Sequence, residues 1–206
     1  MNPFTHTLLC CALLFLTLKE LTEACSCASS HPQQQFCSAD VVMRARVMGE
    51  KTVSSPDSID SIKQIEIKVM KFFKVYDKMK DIQYVYTPSE SSVCGVTLVN
   101  KKEYLLGGAI YDGKVRIYLC GLNILWEELT DFQKDSISQP HIGYQSGCEC
   151  KIRMCGMASC NNLAPNECPW TDDKTQNNQH ICTKLSNGSC SWYPSIPVKS
   201  TYSSHP

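Results

Sequence analysis

Fourteen cysteines in a chain of 206 residues limit what this sequence can fold into more than any other feature, because each disulfide is a tie that two distant backbone positions must meet. Cys10 and Cys11 fall within an apolar run at residues 8–18. That run is too short to cross a bilayer and has the length of a signal-peptide core, and Ala24 supplies the small residue expected before a cut. Removal of residues 1–24 as a signal peptide would leave 12 cysteines, 14 − 2, an even number suited to disulfides in an oxidising compartment. No second apolar run of about 18 residues follows, so the mature protein is expected to be soluble and secreted, with no membrane partner. Cys25 would then be its first residue. The pattern Cys25-Ser26-Cys27 would let ties form on both sides of a terminal position, where chains ordinarily fray.

The 12 divide six and six. Cys25, Cys27, Cys37, Cys94, Cys120 and Cys148 are spread thinly, whereas Cys150, Cys155, Cys160, Cys168, Cys182 and Cys190 crowd the final stretch. The first part can fold around a core and the second is small enough to depend on staples, which divides the mature chain into domains 25–148 and 149–206. Charge is balanced, 20 basic against 20 acidic residues in all, 14 against 14 between Cys25 and Cys148, and 5 against 4 beyond. No strongly basic face marks a nucleic-acid partner.

Ser30 and Gln33 have capping-box spacing and Pro32 suits a first turn, which predicts a short helix presenting Phe36 and Cys37 to a core. "DVVMRARVMG" alternates, with Val41, Met43, Ala45 and Val47 on one face and Arg44 and Arg46 on the other. A polar loop is expected between Gly49 and Ile62, a protruding hairpin tip if its flanks pair. Alternation resumes at residues 62–73, and the strand-length segments "DIQYVYT", "SVCGVTLV", "KEYLLGG" and "KVRIYLC" follow, with a turn at Tyr111-Asp112-Gly113. Five or six short strands with few helices form a small Greek-key barrel or a sandwich, and spacing does not separate the two. In "LWEELTDFQKDSI", Leu125, Leu129 and Phe132 lie near helical spacing and Thr130 with Gln133 repeats the capping box. A helix is expected there, packed on the strands.

Little in the chain suggests catalysis. Cys148, Cys150, Cys155 and Cys160 mimic a zinc knuckle, but disulfides suit a secreted chain with an even count better than thiolate ligands do. His31, His141, His180 and His205 are scattered without metal-site spacing, and no nucleophile elbow or phosphate loop is present. Neither an enzyme nor a cofactor of its own is expected. Lys68, Lys71, Lys74, Lys78 and Lys80 are interleaved with Glu66, Asp77 and Asp81 and read as a solvated strand edge rather than a polyanion site. Asn187-Gly188-Ser189 is an acceptor pattern for N-glycosylation, directly ahead of Cys190.

The residues "CSCASSHPQQQFCSADVVMRARV" closely resemble the start of the tissue inhibitors of metalloproteinases, whose mature chains begin Cys-x-Cys. The likeness continues through "YTPSESSVCGV", "KEYLL", "DGKV", the Trp of "LWEELT", "GCECKI", "NECPWTD" and "GSCSWY", with all 12 cysteines in order. The Cys-Ser-Cys start and "SSVCGV" lie nearest the second and fourth members. The resemblance implies a mainly β fold: a netrin-like, five-stranded barrel of the OB-fold type with flanking helices, then a small disulfide-rich C-terminal β domain. It implies the pairs Cys25 with Cys94, Cys27 with Cys120, Cys37 with Cys148, Cys150 with Cys190, Cys155 with Cys160 and Cys168 with Cys182. Spacing alone would leave about ten thousand pairings open.

The function so implied is inhibition of matrix metalloproteinases, and of adamalysin-type metalloproteinases, by a monomer that forms a one-to-one complex in the extracellular space or extracellular matrix. In that family the α-amino nitrogen and carbonyl oxygen of the first cysteine, here Cys25, chelate the protease's catalytic zinc. Ser26 would enter the mouth of the primed-side pocket, and Cys27, Ala28 and Ser29 would run on through the cleft. Ser38 joins the contact, while Ser91, Ser92, Val93 and Cys94 fill the unprimed side. Three departures stand out. The Cys168 to Cys182 interval is short, the Gly49 to Ile62 loop is modest, and the tail "VKSTYSSHP" lacks the acidic residues with which the second member holds a gelatinase zymogen, so that partnership is not expected. Two other classes share some of these features. A netrin-like binding module needs no cysteine at its terminus, and a redox or zinc protein needs free thiols.

Overall fold

Strand β1, Val41–Val53, turns Val41, Met43, Ala45 and Val47 to one face, each 1% exposed or less, and a closed sheet is wound around that face. The computed structural model describes residues 25–53, 61–75, 81–155, 160, 162–171 and 174–194. The expected signal segment, the hairpin tip at 54–60, Asp77, Lys78, Lys80 and the tail from 195, with His205, lie outside them. β1 pairs antiparallel with β2, Ile62–Lys74, from Val42↔Lys74 out to Val53↔Ile62. The ladder therefore runs past Gly49 into the stretch expected to be loop.

Three register shifts in this pair bend β1, as bulges do. The bend lets residues 41–46 pair on their other edge with β4, Glu103–Tyr111. β2 pairs with β3, Tyr84–Pro88; β3 runs parallel to β5, Lys114–Arg116; and β5 returns to β4. The order β1-β2-β3-β5-β4-β1 closes a five-stranded ring, with β6, Asn123–Leu125, alongside β4. A mainly β barrel, not a sandwich, is the result. The β4–β5 turn takes two residues, Asp112 at φ 50° and Gly113 at φ 68°, the left-handed pair whose twist matches the flanking strands.

Other expected elements differ as well. "SVCGVTLV" is not a strand: Ser91–Val93 forms one 3-10 turn and Cys94 takes a left-handed φ of 62°. Val96 and Leu98 still enter the barrel core at 6% exposure, but the Val96 N–H donates to the Thr87 hydroxyl rather than to a strand. Helix α2 is Asp131–Ser138, and Leu125 belongs to β6. The Thr130–Gln133 capping box is present.

Helix α1, Pro32–Ser38, begins one residue later than a box at Ser30 requires. His31 is its N-cap, with Nδ1 accepting the Gln33 N–H, and Pro32 needs no partner for the N–H it lacks. Phe36 is buried as expected. Gln33, not engaged in a box, reaches into the C-terminal half: its Nε2 donates to the Cys182 carbonyl at 2.7 Å and its Oε1 accepts the Cys182 N–H at 2.8 Å. On the barrel's outer face Arg44 and Arg46 share Glu103, and Arg44 lies 4.5 Å over Trp126, which stacks on Phe73. Lys68 and Lys71 are exposed, whereas Lys74 donates to the Cys37 carbonyl at 2.8 Å and so holds the end of α1.

Beyond residue 148, β7 (Lys151–Met154) runs parallel to β8 (Glu167–Trp170), then come α3 (Lys174–Gln179) and the hairpin of β9 (Ile181–Lys184) with β10 (Cys190–Tyr193). Ile152, Trp170 and Trp192 pack around the Cys168–Cys182 bridge. Packing crosses residue 148: Ile181 joins Phe36, Leu129, Ile137 and Tyr144 in one buried cluster. His31, fully buried, lies edge-on to Trp170 at 5.8 Å and against Trp192 at 5.2 Å.

Burial lowers the His31 pKa from 6.5 to about 4; a contact with the Gln176 carbonyl opposes the shift, and His180 adds to it. The unfolded chain takes up this proton near pH 6.5 and the folded chain only near 4. Stability is therefore whole above 6.5, declines as pH falls through that window, and is down by about 3 kcal/mol at pH 4. His31→Asn retains a capping acceptor but cannot titrate. Its denaturant midpoint should be lower than the parent's at neutral pH and flatter between pH 6.5 and 4; equal slopes would place the acid sensitivity elsewhere.

Candidate functional site

Residues 25–29 enter the fold without helix or strand. Cys25 is tied to Cys94 with Cα atoms 5.3 Å apart, and Cys27 to Cys120 at 5.2 Å. Ties at alternate residues leave Ser26 between them exposed, and Ala28 and Ser29 are exposed as well. Closing the long loop from Cys25 to Cys94 is worth about 4 kcal/mol in chain entropy.

The far ends of the ties are themselves fixed. The Val93 and Gly95 N–H groups both donate to the Glu90 carbonyl, and the Cys94 N–H donates to the Ser91 carbonyl at 3.0 Å. Leu119 N–H donates to the Cys94 carbonyl at 2.9 Å, so the segments bearing the two anchor cysteines are joined by backbone. Gly95 lies backbone against backbone: a Cβ there would sit 2.2 Å from the Pro88 carbonyl oxygen and 2.7 Å from that of Glu90. The turn so held presents Ser91, Ser92 and Val93 to solvent beside Cys25.

Ser38 is exposed at the end of α1, and its hydroxyl donates to the carbonyl of Gln35, whose side chain donates to the carbonyl of Cys120, the anchor of Cys27. Sequence reasoning missed Tyr118 and Leu119, 39% and 41% exposed next to Cys120. With Val93 at 46% they give the edge exposed apolar surface. The available signal was their position directly before the cysteine that ties Cys27.

The edge carries no charged side chain at 25–29 or 91–94. The sulfurs of Cys25, Cys94 and Cys120 lie within 4.8 Å of one another, as do those of Cys150, Cys182 and Cys190. All six are in disulfides and have no thiolate to offer a metal. The remaining bridges are Cys37–Cys148 and Cys155–Cys160. What the edge can offer a metal is backbone: the carbonyl oxygen of Cys25 and, in a chain that begins there, its amine. Among the described residues no helix is long and apolar enough to cross a membrane.

Residues 23–192 match the family model described as tissue inhibitor of metalloproteinase. The chain belongs to that family. It is 46% identical to metalloproteinase inhibitor 2 of Homo sapiens over 195 residues, 88% of this chain and 86% of that protein. It is likewise 46% identical to metalloproteinase inhibitor 4 of Mus musculus over 83% of this chain and 81% of the relative. Metalloproteinase inhibitor 3 of Xenopus laevis is 40% identical over 89% and 87%. This is a family of inhibitors, and the chain is not an enzyme. The match spans both the barrel and the disulfide-rich part.

Gly95→Ala should destabilise the protein by about 1–3 kcal/mol through overpacking and speed hydrogen exchange at the Cys94 and Gly95 amides. Gly49→Ala, where a Cβ meets nothing within 4 Å, is the control. Equal denaturant midpoints for the two variants would show that the 91–94 turn yields without cost.

Proposed function

We propose that the protein is secreted, loses residues 1–24, and inhibits matrix and adamalysin-type metalloproteinases in the extracellular space and matrix, one inhibitor to one protease. Inhibition is assigned to a domain of residues 25–148, with 149–206 as a second domain. The observation that carries this reading is the double tie of Cys25 and Cys27 beside the exposed 91–93 turn, in a chain whose family inhibits metalloproteinases.

A catalytic zinc site keeps a position open for water. In the proposed complex the α-amino nitrogen and carbonyl oxygen of Cys25 take that position and form a five-membered chelate. The amine binds only when neutral. An α-amino pKa of about 7.7–8.0 makes that state accessible near neutrality, with the metal assisting, whereas a lysine amine near 10.4 would cost several times more. Ser26 enters the primed-side pocket, Cys27, Ala28 and Ser29 follow the cleft, and Ser91, Ser92, Val93 and Cys94 cover the unprimed side. No peptide bond precedes Cys25 in the mature chain, so nothing scissile lies across the zinc. The disulfides order the terminus before binding, which removes a cost of about 0.5–1.5 kcal/mol for each side chain that would otherwise be immobilised on association. The zinc is the target's, and the inhibitor supplies only backbone ligands.

One extra residue ahead of Cys25, or acetylation of its amine, should weaken inhibition at least roughly a hundredfold, ~3 kcal/mol, with circular dichroism and thermal midpoint unchanged. Undiminished inhibition by a folded, extended protein would overturn the chelation. Ser26→Lys should spread inhibition constants across a protease panel; a uniform change would place residue 26 outside the pocket.

A further inference from the structure

The sequence holds a single Asn-x-Ser/Thr triplet, Asn187-Gly188-Ser189, and the fold presents it at the tip of the β9–β10 hairpin. The tip is closed by Leu185 N–H to Ser189 O at 2.7 Å and Gly188 N–H to Leu185 O at 2.9 Å. Gly188 lies at φ 84° with nothing within 4 Å of where a Cβ would stand. Residues 184–188 are all exposed. The Asn187 Oδ1 accepts both the Ser189 hydroxyl at 2.7 Å and the Ser189 N–H at 3.0 Å. The two side chains that define the acceptor pattern therefore touch, and the Asn187 NH2 has no partner among the described residues.

We propose that Asn187 carries an N-linked oligosaccharide. The donor is a lipid-pyrophosphate-linked oligosaccharide of the secretory pathway. A bond forms between Asn187 Nδ2 and C1 of the first sugar, the C1–O bond to pyrophosphate breaks, and the amide proton leaves with the departing lipid pyrophosphate. No redox change occurs. Cys190, next in the chain, bridges to Cys150 and donates its N–H to the Pro165 carbonyl, which fixes the strand that follows the tip.

The hairpin also decides where the sugar goes. β9 is anchored at its first residues, Ile181 in the shared core and Cys182 on Gln33. Four steps along a strand, roughly 13 Å, separate Ile181 from Leu185 at the start of the tip. The glycan leaves from the exposed tip, where it covers Leu185, 45% accessible.

This inference rests on the proposed secretion. The full chain is therefore expressed in a glycosylating eukaryotic cell, in parallel with the same chain carrying the leader of an established secreted protein in place of residues 1–24. Intact mass before and after peptide N-glycosidase is compared with Asn187→Gln and Ser189→Thr. A mass excess in hexose and N-acetylhexosamine increments is expected. It should be removed by the enzyme with aspartate left at 187, be absent in Asn187→Gln and be retained in Ser189→Thr, while inhibition by Asn187→Gln equals that of the parent. Secreted protein of unmodified mass from the substituted leader, beside a normally glycosylated control protein, overturns the proposal. Modification with that leader but no secretion with residues 1–24 overturns instead the proposed signal.

Discussion

Two disulfides set at alternate residues hold the first described residues in place, and much of the barrel serves the far ends of those ties. An extended segment at the edge of a fold has few hydrogen bonds of its own, and a terminus left to itself frays. Cys94 can anchor it because its own conformation is overdetermined. It takes a left-handed φ, is followed by a glycine with no room for a side chain, and is bonded through its carbonyl to Leu119, next to the second anchor, Cys120. The turn between β3 and the core residues Val96 and Leu98 is thus a mounting for residue 25. Exposure and rigidity coexist there because the constraints come from beneath.

The same economy appears at the junction between the halves. Among the described residues no disulfide crosses residue 148, yet Gln33 satisfies both backbone groups of Cys182, and His31 is enclosed by Trp170 and Trp192. Both residues belong to the first turn and cap of α1, whose other end carries Cys37, bridged to Cys148. One seven-residue helix therefore joins the barrel, the bridge and the C-terminal hairpin. A neutral histidine suits this place, because its ring accepts the helix N–H while packing against two indoles.

Where a residue's environment is set by its neighbours in sequence, the sequence was readable. The β1 alternation, the Asp112-Gly113 turn and the Thr130–Gln133 capping box are local, and each sits where its pattern indicates. "SVCGVTLV" misled because burial and hydrogen bonding part company there. Val96 and Leu98 are buried as in a strand, but a disulfide and a side-chain hydroxyl replace the ladder. Ser30 misled because Gln33 finds a better partner far away in the chain. Strand spacing left barrel and sandwich undivided, and only the family resemblance chose the barrel, since closure depends on bulges that bend β1 toward β4. At the site, the spacing of Cys25 and Cys27 was plain, but Tyr118 and Leu119 became visible only once the fold laid them beside Cys94.

The edge is uncharged through 25–29 and 91–94, and this bears on how a protease would be chosen. Without charged side chains, these two segments meet a cleft with no side-chain ion pairs of their own. Discrimination then falls to shape and to apolar contact by Val93, Tyr118 and Leu119, exposed hydrophobic residues that flank the two anchor cysteines. Backbone ligands at Cys25 interact alike with any zinc that has an open position, so in the proposed mechanism they contribute affinity without selectivity. Selectivity has to come from surfaces that the disulfides hold still. A floppy edge would relax to fit every cleft, and a rigid one cannot, so the constraint that orders the chelating residue also lets its neighbours discriminate between proteases.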